Sequence, residues 1–250
     1  MSTRRTSPAP IWSEPAPGQR RPRFTREQIA EVALRIADEE GFAAVSMRRI
    51  ADELGAGTMT LYHYIRTKDD LLALIHDEIM ASTLVGELPT AWRAALHLVA
   101  LGSYRAFMKH PWAIDALRGA RFGPNGMRHV EQSLKAVASA PFDDQGKLDA
   151  LGIVDDYVFG HVMRRSDSLQ QKELEAGKPS RSLVKFADQM MATGEFPHLA
   201  ALLAQFGPFE SWGKTARAMN DAGRFHRGLE ALLDGLEARY VRPPHPAKRR

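Results

Sequence analysis

A chain of 250 residues, 44% of them hydrophobic, can bury a sizeable core and has room for one small and one larger domain. It has no cysteine, which excludes disulfides and thiolate metal sites and fits a reducing cytoplasm. No run approaches the ~18 consecutive apolar residues of a membrane span, and the N-terminal stretch lacks the apolar core of a secretory signal. The net charge of +4 sits in the tails: residues 1–23 carry five arginines against one glutamate, and Lys248, Arg249 and Arg250 end the sequence. Between 24 and 86, six Lys/Arg stand against eleven Asp/Glu, so that region is itself acidic.

In chain order, residues 1–23 are rich in Pro, Ser, Ala and Arg without periodicity, and are expected to form a disordered basic arm. Such an arm either neutralises phosphates or enters a minor groove, or is a solvated tail. A helix is predicted from Thr25, which opens a Thr-x-x-Gln capping box, to Glu40. Ile29, Val32, Ala33, Ile36 and Ala37 lie on one face, and Gly41 follows as the stop. Phe42 and Val45 close the small core.

The stretch from Ser46 to Lys68, SMRRIADELGAGTMTLYHYIRTK, reads as two short helices around a Gly-rich turn. Ser46 caps the first, with Ile50, Ala51 and Leu54 facing inward, and Gly55-Ala56-Gly57 ends it. Thr58 is the expected cap of the second, which Leu61 and Ile65 anchor, leaving a hydroxyl-rich front suited to base edges and phosphates. A fourth helix follows from Lys68 to about Ser82, with Leu71, Leu72, Ile75 and Ile79 on one face.

The motifs GFAAVSMRRIADELG and TLYHYIRTKDDLL make residues of about 24 to 82 resemble the DNA-binding domain of the tetracycline-repressor (TetR) family of bacterial transcription regulators. The resemblance implies a homodimer that binds a palindromic operator and lets go when a small ligand occupies the larger C-terminal domain. It places DNA contacts on Arg48, Thr58, Met59, Thr60, Tyr62, His63, Tyr64 and Lys68, with Arg48 suited to guanine and Lys68 to a phosphate. Tyr64, three residues after Leu61, has an alternative place in the core. In an acidic domain this binding requires Arg48, Arg49, Arg66 and Lys68 to be segregated from the carboxylates.

A break at 86–89 marks the expected domain boundary. Beyond it, helices are predicted at 91–109, 127–138, 143 to about 174, 183–193, 199–206 and 225–240. A short segment at 112–118, a turn at 122–126 and loops at 175–182 and 207–223 connect them. The longest helix carries a stripe of Leu148, Leu151, Val154, Val158, Val162 and Leu169, and Gly152 and Gly160 offer close approach to a neighbouring helix. FHRGLEALLDGL, near the end, resembles the ligand-binding domain of the tetracycline-repressor branch; there the long and final helices pair with their copies in the dimer. The stripes alone fit a monomeric core equally well.

The expected fold is therefore all-α: a disordered arm (1–23), a three-helix helix-turn-helix DNA-binding domain with its connecting helix (24–85), a larger helical ligand-binding and dimerisation domain (86–241) and a basic tail (242–250). Candidate ligand-binding residues are His97, Tyr104, Phe107, His110, Trp112, Phe122, Met127, Phe159, Met163 and Met190, each of which also has a plain core reading. In the tetracycline repressor a histidine just beyond the fourth helix helps hold a magnesium–drug chelate. Residues 81–88 contain no histidine, which argues against tetracycline itself and leaves a bulky, partly apolar effector. Asp155, Asp156 and His161, or Glu195 with His198, make no recognisable catalytic or metal motif, so neither catalytic residues nor cofactor nor metal is expected. The expectation is a cytoplasmic, ligand-released repressor with operator DNA, effector and a second copy as partners and no membrane role. An activator or ligand-independent DNA-binding protein is the alternative, and a helical ligand-binding enzyme or interaction module the distant one.

Overall fold

The computed structural model describes residues 10–13, 23–117, 122–170, 181–206 and 223–240. Among the described residues the regular structure is helical throughout: α1 (Arg26–Glu40), α2 (Met47–Glu53), α3 (Thr58–Tyr62), α4 (Lys68–Thr83), α5 (Trp92–Lys109), α6 (Ala113–Ala116), α7 (Pro124–Val137), α8 (Asp144–Gln170), α9 (Arg181–Ala192), α10 (Pro197–Phe206) and α11 (Arg224–Tyr240). The chain divides into two compact units, 1–162 and 163–250, with the division inside α8. The tail 242–250 and most of the loops expected at 175–182 and 207–223 lie outside the described residues, as does the Leu169 side chain.

Local chemistry sets the N-terminal helices. The Thr25 hydroxyl accepts from Gln28 N at 3.1 Å while Gln28 Oε1 accepts from Thr25 N at 2.9 Å, a complete capping box that satisfies a free amide of α1. Ile29, Ala30, Ala33, Ile36 and Ala37 are buried along its inner face. Ser46 caps α2 by accepting from Arg49 N at 3.2 Å, and Gly55 turns the chain at φ +59, a conformation that glycine adopts without a Cβ penalty. The cap of α3 differs from expectation: Gly57 occupies the N-cap and Thr58 is already in the helix, so the Thr58 hydroxyl makes no capping bond.

α4 is buried on most of its circumference and packs against α1, α5 and α7. Thr67 caps it through Asp70 N at 3.1 Å, leaving Lys68 as its first residue. α7 begins at Pro124, three residues before the predicted start. Proline suits the first helical position, and Asp77 of α4 accepts from the amides of Asn125 (2.8 Å) and Gly126 (3.1 Å), capping α7 from a neighbouring helix.

Residues 10–13 correct the expectation of a wholly disordered arm. Ile11–Ser13 forms a 3-10 turn with Ile11 at 1% exposure, because an Ile-Trp pair inside the polar sequence finds an apolar seat. In α8, Val154, Val158 and Val162 are buried, whereas Leu148 is 57% exposed; a Cβ at Gly152 or Gly160 would meet nothing within 4 Å. In the second unit, α11 buries Phe225, Leu229, Leu233 and Leu236 along one side, while α9 and α10 keep Phe186 and Leu202 exposed.

Candidate nucleic-acid interface and effector cavity

The recognition helix α3 is amphipathic over a single turn and a half. Leu61 and Ile65 are fully buried, while Met59 is 74% and Tyr62 46% exposed; His63 and Lys68 are exposed beside them, and Thr58 and Thr60 are half-buried. Arg48 is exposed on α2. Tyr64 is a correction: at 4% exposure its ring packs edge-on against Phe24, with centroids 6.5 Å apart, because a residue three after Leu61 shares its inward face. The Tyr64 ring supports the helix from its inner side.

The electrostatic condition read from sequence for Arg48, Arg49, Arg66 and Lys68 holds for only two of the four. Arg49 pairs with Glu40 (2.6 Å) and Glu53 (2.7 Å), and these hydrogen bonds raise its already high pKa while the Arg49 bond pulls that of Glu53 down. Arg66 pairs with Asp70 at 3.1 Å. Among the described residues no carboxylate pairs with Arg48 or Lys68, so these two carry the unneutralised charge at the face. Arg23 also belongs here rather than to a detached arm: its guanidinium donates to Gly55 O at 2.8 Å and lies over the Phe24 ring at 5.2 Å.

A second site lies in the same unit, a cavity of about 390 Å³ between α4, α5, α7 and α8. Its apolar wall includes Met80, Phe107, Phe122 and Phe159, with Phe107 and Phe159 in edge contact at 5.0 Å. Four polar side chains interrupt it: His76, Ser103, His129 and Asp155. His76 Nδ1 and Ser103 Oγ are buried without a hydrogen-bond partner, a cost that native proteins tolerate mainly where a ligand or water completes the site. Burial lowers the pKa of both His76 and His129, which keeps them neutral.

His129 Nδ1 faces two polar neighbours, Gln132 Nε2 and Thr83 Oγ1. Val85 N donates to Gln132 Oε1 (3.0 Å) and Gln132 Nε2 donates to Thr83 O (3.2 Å), which fixes the amide and turns its NH2 toward His129 Nδ1 at 3.0 Å. Thr83 Oγ1, 2.9 Å from the same Nδ1, donates its proton to Met80 O at 2.7 Å and so can only accept from the ring; Nδ1 serves one of these two partners or the other according to its tautomer.

Asp155 is reached by solvent through the open cavity. The protein packed around it, and secondarily the Asp156 carboxylate, push its pKa up to about 6. The folded state therefore holds this proton more tightly than the unfolded chain. The stability linked to it is fully present below about pH 3.8 and is lost as pH rises through about 6. Asp155→Asn is expected to raise the melting temperature relative to wild type at pH 8, with the difference shrinking toward pH 4. A pH-independent difference in thermal melts would contradict this.

Of the ten candidate effector residues, Phe107, Phe122 and Phe159 line the cavity. His110 and Trp112 have another role. His110 Nδ1 lies 2.8 Å from Asp38 Oδ1, the Trp112 indole donates to the same oxygen at 2.8 Å, and Trp112 stacks on Phe42, so together they tie the end of α5 to α1. Tyr104 meets His161 edge-on and His97 is half-buried on α5, neither in the cavity wall, and Met127 is 63% exposed. Met163 and Met190 belong to the second unit. Sequence reading missed His76, Ser103 and His129, whose only signal was a polar residue on an otherwise apolar helical face. Asp155 was noticed only as a possible catalytic group.

A short exposed helix held over a helix-turn-helix, joined through α4 to a cavity-bearing helical body, defines a DNA-binding regulator. Residues 29–75 match the bacterial regulatory proteins of the tetR family, and residues 85–240 match the tetracyclin repressor-like C-terminal domain. The chain belongs to the TetR family of transcriptional regulators. It is 33% identical over 229 residues to the HTH-type transcriptional repressor DrrR1 of Streptomyces coeruleorubidus, covering 87% of this chain and 78% of that protein. To an HTH-type transcriptional regulator of Saccharopolyspora erythraea it is 31% identical over 242 residues, 95% of each chain. Among solved structures it is similar to the Streptomyces coelicolor TetR family protein ActR in complex with actinorhodin. That match has a TM-score of 0.65 and 27% identity, covering 88% of this chain and 98% of that one. The family consists of regulators, not enzymes, and no described helix is long and apolar enough to cross a membrane.

Proposed function

We propose that the protein is a homodimeric repressor that binds a palindromic operator and is released by a small, partly apolar effector. The observation that carries this reading is the double role of α4: His76 and Met80 line the cavity, and the same helix begins at Lys68, beside the recognition helix. An effector that favours one position of α4 changes the spacing of two recognition helices that must meet half-sites about one DNA turn apart. Contacts to DNA come from Arg48, Thr58, Met59, Thr60, Tyr62, His63 and Lys68. Dimerisation uses α8 and α11, and the exposed Leu148 and Ile153 with the open Gly152 and Gly160 support a partner helix against α8.

The cavity suits a ring system with polar edges. Its aromatic walls take the apolar body, Ser103 Oγ donates to a carbonyl or hydroxyl oxygen, His129 adds a polar ring edge, and Asp155 accepts from a hydroxyl. The structure of ActR with actinorhodin supports an effector of comparable bulk. Actinorhodin is the first probe in a thermal-shift screen paired with gel retardation of the DNA beside the protein's own gene. The repressor reading predicts specific retardation in the absence of effector and release by a compound that also raises the melting temperature. Retardation unaffected by every stabilising compound would instead favour the ligand-independent alternative.

Ser103 offers a test that requires no effector. Its hydroxyl is buried at 3% exposure without a partner, so Ser103→Ala is expected to stabilise the ligand-free protein by about 1 kcal/mol in urea denaturation. A loss of stability would mean that the hydroxyl is already satisfied.

A further inference from the structure

The Ile11–Ser13 turn is part of neither the DNA-reading face nor the effector cavity, yet its contacts reach residues adjacent to each. At one end, Trp12 packs against the start of α7: a Cβ on Gly123 would stand 2.5 Å from Trp12 Cζ2 and closer still to the Asp77 carboxylate. With φ at −107, Gly123 is needed there for space and not for conformation. Gly123 directly follows Phe122, a wall of the effector cavity. Trp12 also borders a smaller cavity of about 250 Å³, together with Ala30 of α1, Leu74 of α4 and Asn125 of α7.

At the other end, Ile11 is 1% exposed, and its carbonyl accepts from Arg26 Nη1 at 2.7 Å. The same guanidinium donates from Nε to the carbonyl of Tyr64 at 3.2 Å. That carbonyl lies just beyond α3, where a helix end leaves acceptors without intrahelical partners.

We propose that Ile11 and Trp12 form a coupling wedge, seated on Gly123, the residue next to the cavity-wall Phe122, and, through Arg26, holding the chain just beyond the C-terminal end of the recognition helix. Trp12 and Arg26 are positioning residues, acting on DNA recognition through Tyr64. A site with no room for a methyl group cannot absorb a shift of Gly123 by compression, so the shift passes to Trp12. The wedge supplies a route from cavity to recognition helix that runs outside α4. Its regulatory meaning rests on the effector reading of the cavity, but its existence as a mechanical link does not.

The test is hydrogen exchange of the full-length chain with Trp12→Ala and Trp12→Phe, in the absence of DNA and effector, so that its result stands apart from the effector reading. The amides of Tyr64 and Ile65 both bond to Leu61 O. In Trp12→Ala they are expected to exchange about tenfold faster, together with Asn125 and Gly126, while amides at 95–100 in α5 keep their rates. Trp12→Phe, which retains a ring, is expected to restore most of the protection. Unchanged exchange at Tyr64 and Ile65, or a uniform rise that includes α5, would overturn the proposal and reduce the turn to a local anchor.

Discussion

Replacing Tyr62 and Lys68 together by alanine is expected to raise the operator dissociation constant by about 100-fold, because in the proposed dimer each loss acts at both half-sites. Tyr62 is 46% exposed and Lys68 opens α4 without supporting the core, so the double variant should melt close to wild type. The two side chains are separable by salt. On the proposed reading, Lys68→Ala removes a phosphate contact in each subunit and should flatten the log–log salt dependence by about 0.9 per contact, whereas Tyr62→Ala should weaken binding with little change of slope. Arg49→Ala is the internal control: its guanidinium is held by Glu40 and Glu53, so it has less charge to offer DNA. If Arg49→Ala costs as much affinity as Lys68→Ala in gel-shift titrations, the assignment of the unneutralised cations is wrong.

The second large effect is expected at Asp77, which is 7% exposed. Its carboxylate accepts from Asn125 N at 2.8 Å, Gly126 N at 3.1 Å and Asn125 Nδ2 at 3.0 Å, joining α4 to the first turn of α7. Asp77→Ala leaves the two amides without their acceptor, while Asn125 Nδ2 keeps the residue-77 carbonyl at 3.3 Å, and is expected to cost about 3 kcal/mol in denaturant unfolding, given that hydrogen bonds to a charged group each contribute roughly 1.5–3 kcal/mol and do not add fully. A cost below about 1 kcal/mol would show that water replaces the cap without penalty. Because the capped turn adjoins Phe122 and His129 of the cavity, the variant should also lose the proposed effector-driven release of operator even where it remains folded.

Much of the N-terminal domain was legible because its determinants are local. The Thr25 capping box, the Ser46 and Gly55 boundaries of α2 and the Leu61–Ile65 anchor each involve residues within four positions of one another, and the structure places them as read. Of the misread details, one turned on the adjacent residue and one on a residue far along the chain. Thr58 is not a cap because Gly57 takes that place, and α7 starts early because Asp77, some fifty residues away, supplies its cap.

By itself, then, the sequence determined an all-helical chain, the helix-turn-helix and its family, since periodicity, caps and turn glycines act over short spans. Tertiary structure alone decided which of these residues do what. Tyr64 turns inward, Arg49 and Arg66 are neutralised while Arg48 and Lys68 are not, and His110 and Trp112 leave the effector list to bind Asp38. The cavity brings together His76, Ser103, His129 and Asp155 from four helices, and Ile11 and Trp12 find their seat against α1 and α7. These assignments depend on distances between residues far apart in sequence, which composition and spacing do not encode, and on burial, which sets both charge state and access.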